Sequence, residues 1–363
     1  MQRAKYISNG TITYKIIGDQ GPQGPQGEVG PQGPVGPQGP AGSDGKICDF
    51  KFGSNFEEVK SSEWDQVHEL SRFEQYLDQS VKYKNDGGWI VVEVQPLRQQ
   101  RLDFLSGSLS GNDLTITYLP DNNRISTMVQ KMKAANFHII GVKFHNAWIR
   151  DNWSALSPFK DHIFDSYKTI INDVIDIVGE PIKVSFLNES PGILNDTSLH
   201  EDIKTILSSI KAKGCKAGLS GMRYTVANKA VFDYTDFLAV HYYPYISSKR
   251  ENTTIDDSIR AWQCVGDRFE TMERYHNMYP NNEVWIVEAG VQNYWEALRS
   301  PESYYASGTP SSENIVQYIF YAGMFEVLKS KNYITGVCTW YFDYSKEYSK
   351  IKELLSHYLG RVY

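Results

Sequence analysis

Glycine stands at every third position from residue 18 to residue 45: Gly18, Gly21, Gly24, Gly27, Gly30, Gly33, Gly36, Gly39, Gly42 and Gly45. Proline follows many of them, as in Gly21-Pro22-Gln23 and Gly36-Pro37-Gln38. This period is a steric rule. Three chains in the polyproline II conformation wind about one axis, and only a residue without a Cβ fits there. A proline- and glycine-rich disordered linker needs no such strictness. The repeat therefore predicts a triple helix and, because one chain cannot make it, a parallel homotrimer. At ~3.1 Å per residue the stalk would be roughly 80–90 Å long. No proline occupies the third place of a triplet, so a helix this short needs clamping by residues 1–17, by the domain that follows, or by a partner that holds the N-terminus.

The repeat divides the 363 residues into three parts: an N-terminal attachment segment at 1–17, a collagen-like stalk at 18–45, and one large domain at 46–363. In that domain eight short β-branched runs alternate with helical stretches. The expected strands are Ile47–Phe52, Trp89–Val94, His138–Phe144, Lys183–Leu187, Lys216–Leu219, Phe237–Val240, Val284–Val287 and Ile334–Thr339. Between or after them lie amphipathic stretches such as Pro158–Val178, Leu199–Lys213, Asp256–Met278, Ser312–Lys331 and Tyr348–Leu359. Strand then helix, eight times over, predicts an α/β fold of the (β/α)8 TIM-barrel type. A doubly wound open sheet is the rival, and it would carry a glycine-rich phosphate turn after an early strand. None is present. The Gln95–Ser126 connection is long enough to hold a hairpin of its own, since Gly111-Asn112-Asp113 precedes the alternating Leu114–Tyr118.

Composition narrows the function. A net charge of −6 gives no electrostatic case for nucleic acid. No apolar run is long enough for a membrane span. The N-terminal MQRAKYISNG has no apolar core of a secretory signal, so the expected product is soluble in a cytoplasm and reaches any outside target by another route. Cys48, Cys215, Cys264 and Cys338 have neither disulfide-framework nor metal-type spacing. Aromatics reach 13%, with 24 Tyr and 8 Trp. That excess suits surfaces that stack on sugar rings as well as it suits extra core packing.

Active sites of such barrels lie at the C-terminal ends of the strands. Strand three leads into His145-Asn146-Ala147-Trp148, strand four into Asn188-Glu189-Ser190, strand six into His241-Tyr242-Tyr243, strand seven into Glu288-Ala289-Gly290 and strand eight into Trp340. Glu189 and Glu288 therefore emerge on one face. Two carboxyl groups so placed are what glycoside hydrolysis needs: one to protonate the leaving oxygen, one to attack the anomeric carbon. Either glutamate alone would read as an ordinary strand-end residue. Glu189 should have a raised pKa so that it holds a proton. Asn188 is placed to donate to a sugar 2-hydroxyl and Tyr243 to keep Glu288 ionised. His145 and His241 suit hydroxyl binding or carboxylate orientation better than metal ligation, and neither metal nor other cofactor is expected. Trp340 is a candidate floor under the sugar. Trp148, Trp153, Tyr294 and Trp295 are candidate platforms for flanking sugars, with simple packing equally open.

These residues resemble the clan A glycoside hydrolases, which include many cellulases, β-mannanases and β-galactosidases. The resemblance runs in order from Ile47 to the C-terminus. It rests on His145, Asn188-Glu189, His241-x-Tyr243, Glu288 and Trp340, each short and together moderately specific. It implies that Glu189 is the general acid/base and Glu288 the nucleophile. Ser190 departs from the pattern by standing between Glu189 and Pro191, and the arginine often found near strand two is matched poorly by Arg98. The repeat itself resembles those of phage tail proteins and bacterial spore-surface filaments. The favoured reading is thus a trimeric, virion-borne hydrolase of polysaccharide or other glycan on a host surface, held to a phage tail through its N-terminus. A spore surface is the alternative location. A glycan-binding barrel without catalysis, and a purely structural decoration protein, are the alternative functions.

Overall fold

The computed structural model describes residues 2–8, 11–17, 46–56, 70–221, 229–246, 252–264, 268–301, 308–340 and 349–363. The chain forms two compact units, Met1–Ala41 and Gly42–Tyr363. In the first, β1 (Gln2–Ser8) and β2 (Thr11–Ile17) pair antiparallel in a hairpin that runs from Gln2↔Ile17 to Ser8↔Thr11. The expected triple-helical stalk at 18–45 lies outside the described residues.

The second unit is a closed barrel. Its strands are β3 (Lys51–Phe56), β4 (Gly87–Pro96), β6 (Ile139–His145), β7 (Lys183–Phe186), β8 (Lys216–Gly221), β9 (Phe237–His241), β10 (Glu283–Ala289) and β11 (Gly336–Thr339), with β5 (Ile116–Leu119) lying outside the ring. The ring runs β3-β11-β10-β9-β8-β7-β6-β4 and closes by β3–β4 pairing, all of it parallel. This is the (β/α)8 barrel. Seven strands fall within two or three residues of expectation. The first is displaced to Lys51–Phe56, because Cys48 and Phe50 pack in the core outside the ring. Leu114–Tyr118 makes no separate hairpin; β5 pairs antiparallel with the far end of β4, from Glu93↔Leu119 to Pro96↔Ile116. Of the stretch expected as a helix at Asp256–Met278, the described residues Ile255–Cys264 and Arg268–Met278 are helical.

The outer helices follow their apolar period. In Lys160–Val178 the buried residues are Ile163, Phe164, Tyr167, Ile170, Ile171, Val174, Ile175 and Val178, one stripe at a spacing of three and four. Gly179 ends it with a φ of 69°, the left-handed turn that glycine adopts without strain.

The lower barrel interior is filled by large side chains facing small ones. Trp89, Phe237, Trp285, Val287 and Cys338 cluster there. A Cβ on Gly141, Gly218 or Gly336 would lie 2.5, 2.2 or 2.2 Å from the rings of Trp89, Phe237 and Trp285 respectively. Each bulky ring thus occupies the space a neighbour gives up. The floor is solid, so a ligand reaches the barrel axis only from the C-terminal end.

Candidate active site

The side chains above this floor are polar. Strand alternation points Val91 and Glu93 of β4, Lys143 and His145 of β6, and His241 of β9 inward, continuing the columns that begin at Trp89, Ile139 and Phe237. Glu288 needs a further device. Val287 already faces the interior, so its successor should face out. The register of β10 shifts after Ile286 against both neighbours, and this bulge turns Glu288 inward. Asn55 of β3 supports the bulge: its Nδ2 donates to Val287 O at 2.7 Å and Thr339 O at 3.0 Å. Gly290 lets the chain leave beside β11, since a Cβ there would sit 1.6 Å from Trp340 O.

Glu189 arrives by a strained turn after β7. Leu187 and Glu189 both have left-handed φ, 58° and 52°, a cost of about 1–3 kcal/mol each. Hydrogen bonds hold the turn: Glu189 N donates to Ser220 O at 3.0 Å and Ser190 N to Leu187 O at 3.3 Å. Ser190, the residue that departs from the Asn-Glu-Pro pattern, is a strut here. Its Oγ donates to Asn188 O at 3.0 Å and accepts from Asn146 Nδ2 at 3.1 Å.

The two glutamates meet at His241. His241 Nδ1 lies 2.8 Å from Glu189 Oε1 and 3.1 Å from Glu288 Oε2. One oxygen of each glutamate and this nitrogen all fall within 4.8 Å of one another. Glu288 is buried. Tyr243 donates its hydroxyl to Oε2 at 3.0 Å, and the fully buried Lys143 ion-pairs with Oε1. Lys143 Nζ also lies 4.6 Å from the centre of the Trp340 ring. Glu189 is partly open, and Arg150 Nη1 donates to its Oε2 at 2.7 Å. His145 is bound through Nδ1 to Glu93 Oε2 at 3.0 Å, directly across the β4–β6 register.

Electrostatics corrects one expectation. Burial pushes Glu189 up, but the hydrogen bond and charge of His241, with His145 and Arg150, outweigh it and hold the carboxyl well below the usual range. The raised pKa expected from the sequence is absent in the free site. Glu288 is also held low: burial pushes it up, yet His241 and Lys143 prevail over both burial and the like charge of Glu189. His145 goes the other way. Burial lowers it, and Glu93 more than compensates.

Glu189, Glu288, His145, His241, Tyr243 and Trp340 are therefore brought together. Asn188 joins them: buried, with Oδ1 accepting from Ser220 Oγ at 2.8 Å and Nδ2 without a partner among the described residues. Trp148 stands apart from these contacts, edge-on to Phe104 at 6.1 Å, and Trp153 packs on Phe164 at 6.2 Å. Tyr294 is bridged to Pro310, and it and Trp295 are half-buried against the core. Arg98 is exposed at the start of a helix, and the cation at Glu288 is Lys143, which sequence reasoning missed along with Glu93 and Arg150. The signal for Lys143 was a lysine inside the apolar run Gly141-Val142-Lys143-Phe144, where a strand covered on both faces has no solvent for it. The Glu189–His241–Glu288 trio has the spacing of a metal site. A divalent cation would compete there with Lys143 and Arg150, which already offset both carboxylates.

No family model matches the sequence, and no curated protein matches it. Solved structures match the fold. A GH113 β-1,4-mannanase in a complex superposes with a TM-score of 0.58 at 13% identity, over 86% of this chain and 98% of that one. A second GH113 β-1,4-mannanase structure gives 0.56 at 13%, over 87% and 99%. The cellulose synthase subunit Z of Clostridioides difficile gives 0.51 at 15%, over 86% and 100%. The chain therefore has a barrel of the kind found in glycoside hydrolases.

Proposed function

We propose that the barrel is a retaining glycoside hydrolase acting on a polysaccharide, with Glu288 as nucleophile and Glu189 as general acid/base. One observation carries this: carboxylate oxygens from the turn after β7 and from β10 lie within 4.8 Å of each other at the open end of the barrel. Retaining enzymes hold the pair ~5–5.5 Å apart, whereas inversion needs ~6.5–9.5 Å to admit a water between carboxylate and sugar.

In the first step Glu288 bonds to the anomeric carbon as the glycosidic C–O bond breaks, and the leaving oxygen takes a proton from Glu189. In the second, Glu189 removes a proton from water, whose oxygen displaces Glu288. His241 and Lys143 keep Glu288 ionised for attack, and the Tyr243 hydroxyl holds its Oε2 in place. The unpaired Nδ2 of Asn188 is a donor for the 2-hydroxyl, whose hydrogen bond tightens as charge develops. Glu189 must gain a proton first. A bound sugar excludes water and strengthens the burial that already pushes Glu189 up. Trp340, beside Lys143 and His145, suits the floor under the cleaved unit.

β-1,4-Mannan is the first substrate to try, since two of the fold neighbours are mannanases. The test is release of reducing ends from β-mannan, cellulose, xylan and bacterial surface polysaccharides by wild type and Glu288→Gln. Activity that survives in Glu288→Gln would remove the mechanism, whereas tight binding without turnover by wild type would favour a glycan-binding barrel.

The strict glycine period supports a second part of the proposal: residues 18–45 join three chains, and the segment before them anchors the trimer to a phage tail or other surface filament. Three sites on one stalk would convert weak binding into avidity for a repetitive glycan. A solution mass of one chain would refute the trimer.

A further inference from the structure

Glu93, Gln95 and Arg101 form a polar group that the two-glutamate chemistry does not use. Glu93 and Gln95 face inward on β4 above Val91, while Ile90, Val92 and Val94 pack in the core outside the ring. Their relative exposures are 7% and 2%. Each is fixed by one atom and leaves the other without a partner among the described residues. Glu93 Oε2 is held by His145 Nδ1 at 3.0 Å, and Oε1 is unpaired. Gln95 Oε1 accepts from Arg101 Nη1 at 3.0 Å, and Nε2 is unpaired. Arg101 Nε is likewise buried and unpaired. A buried polar atom without a partner is unfavourable, and here three cluster at one strand end. His145 links them to the carboxylate pair: it bonds Glu93, feels the charge of Glu288, and lies 6.4 Å from the Trp340 ring.

We infer that Glu93, Gln95 and Arg101 are a subsite for the hydroxyl groups of a neutral pyranose unit next to the one that is cleaved. The inference rests on the hydrolase reading and adds to it where the rest of the glycan chain lies. The unpaired atoms are one anionic acceptor and two donors, which is what adjacent hydroxyls, each both donor and acceptor, can satisfy together. Glu93 and Gln95 are two residues apart on one strand face, so their side chains stand about 7 Å apart, a gap that a pyranose ring with its hydroxyls bridges. An acceptor that is a carboxylate repels a uronate at this place.

The test compares wild type, Gln95→Met and Arg101→Met on two substrates, β-1,4-mannohexaose and 4-nitrophenyl β-mannoside, with circular dichroism to confirm the fold. The aryl mannoside has no second sugar. The subsite predicts that kcat/KM for the hexaose falls about tenfold in Gln95→Met, the loss of one hydrogen bond at about 1.4 kcal/mol, while the aryl mannoside changes less than twofold. Equal changes on both substrates, or none on either, would overturn it. Calorimetric binding of mannohexaose separates the two claims. If wild type binds but does not cut, and Gln95→Met binds about tenfold more weakly, the catalytic reading fails and the subsite stands. No binding of mannohexaose by wild type overturns the subsite for this sugar class.

Discussion

Lys143→Met probes the electrostatics of the site most sharply. Methionine keeps the length of the side chain and removes its charge. Glu288 would keep the Tyr243 hydroxyl and His241, but would lose the one permanently charged partner that Oε1 has among the described residues. Removing one member of a buried ion pair costs ~3–5 kcal/mol while the other stays charged. The carboxyl escapes part of this by taking up a proton. At 1.36 kcal/mol per unit, a penalty of ~3 kcal/mol corresponds to a pKa higher by about two units. The acid limb of kcat/KM, which reports ionisation of the nucleophile in the free enzyme, should move up by about that amount. Activity on that limb then falls ~100-fold, while the plateau at higher pH changes far less. Urea unfolding at pH 7 should show a loss of roughly 2–4 kcal/mol, and adding Glu288→Gln should restore much of it, because no charge is then left unpaired. An unmoved acid limb together with unchanged stability would refute the assignment of Lys143 as the cation that keeps Glu288 ionised.

Two further outcomes follow from the same geometry. Glu189→Ala should retain cleavage of aryl glycosides with good leaving groups but stall at the glycosyl-enzyme, and azide should restore turnover as a glycosyl azide of unchanged anomeric configuration; no rescue would argue against Glu189 as acid/base. His145 is held above its ordinary pKa by Glu93, so this pair stabilises the fold fully below the unfolded value of ~6.5 and loses its contribution as pH rises through the raised folded value. The stability difference between wild type and Glu93→Gln, from urea titrations, should therefore shrink between pH 6 and pH 9, and a difference that grows with pH would contradict the pairing.

The ring of strands was legible because most of its strands are short apolar runs, several rich in Val and Ile, buried on both faces, and Glu189 and Glu288 because barrel chemistry collects at strand ends. What stayed hidden has physical reasons. The hairpin at 2–17 was read only as an attachment segment, although Asn9-Gly10 between β-branched runs is the dipeptide such turns prefer. The bulge that turns Glu288 inward, and the left-handed backbone at Leu187 and Glu189, leave no residue-type signature in this chain. Lys143 and Glu93 were passed over because they sit inside apolar runs, the places where a charge must have a partner from another strand. The low pKa of Glu189 depends on Arg150 and His241, which lie 39 residues before it and 52 after it, and no local reading of Asn188-Glu189 could supply them.

The central claim is that Glu288 bonds to the sugar. A 2-deoxy-2-fluoro aryl glycoside of the preferred sugar slows the second step, so the covalent intermediate accumulates and survives digestion for mass spectrometry. The two-glutamate account predicts one sugar per chain, on the peptide that contains Glu288, with none in Glu288→Gln and a first-formed product of retained configuration by NMR. A label on another residue, or a product of inverted configuration, would contradict it.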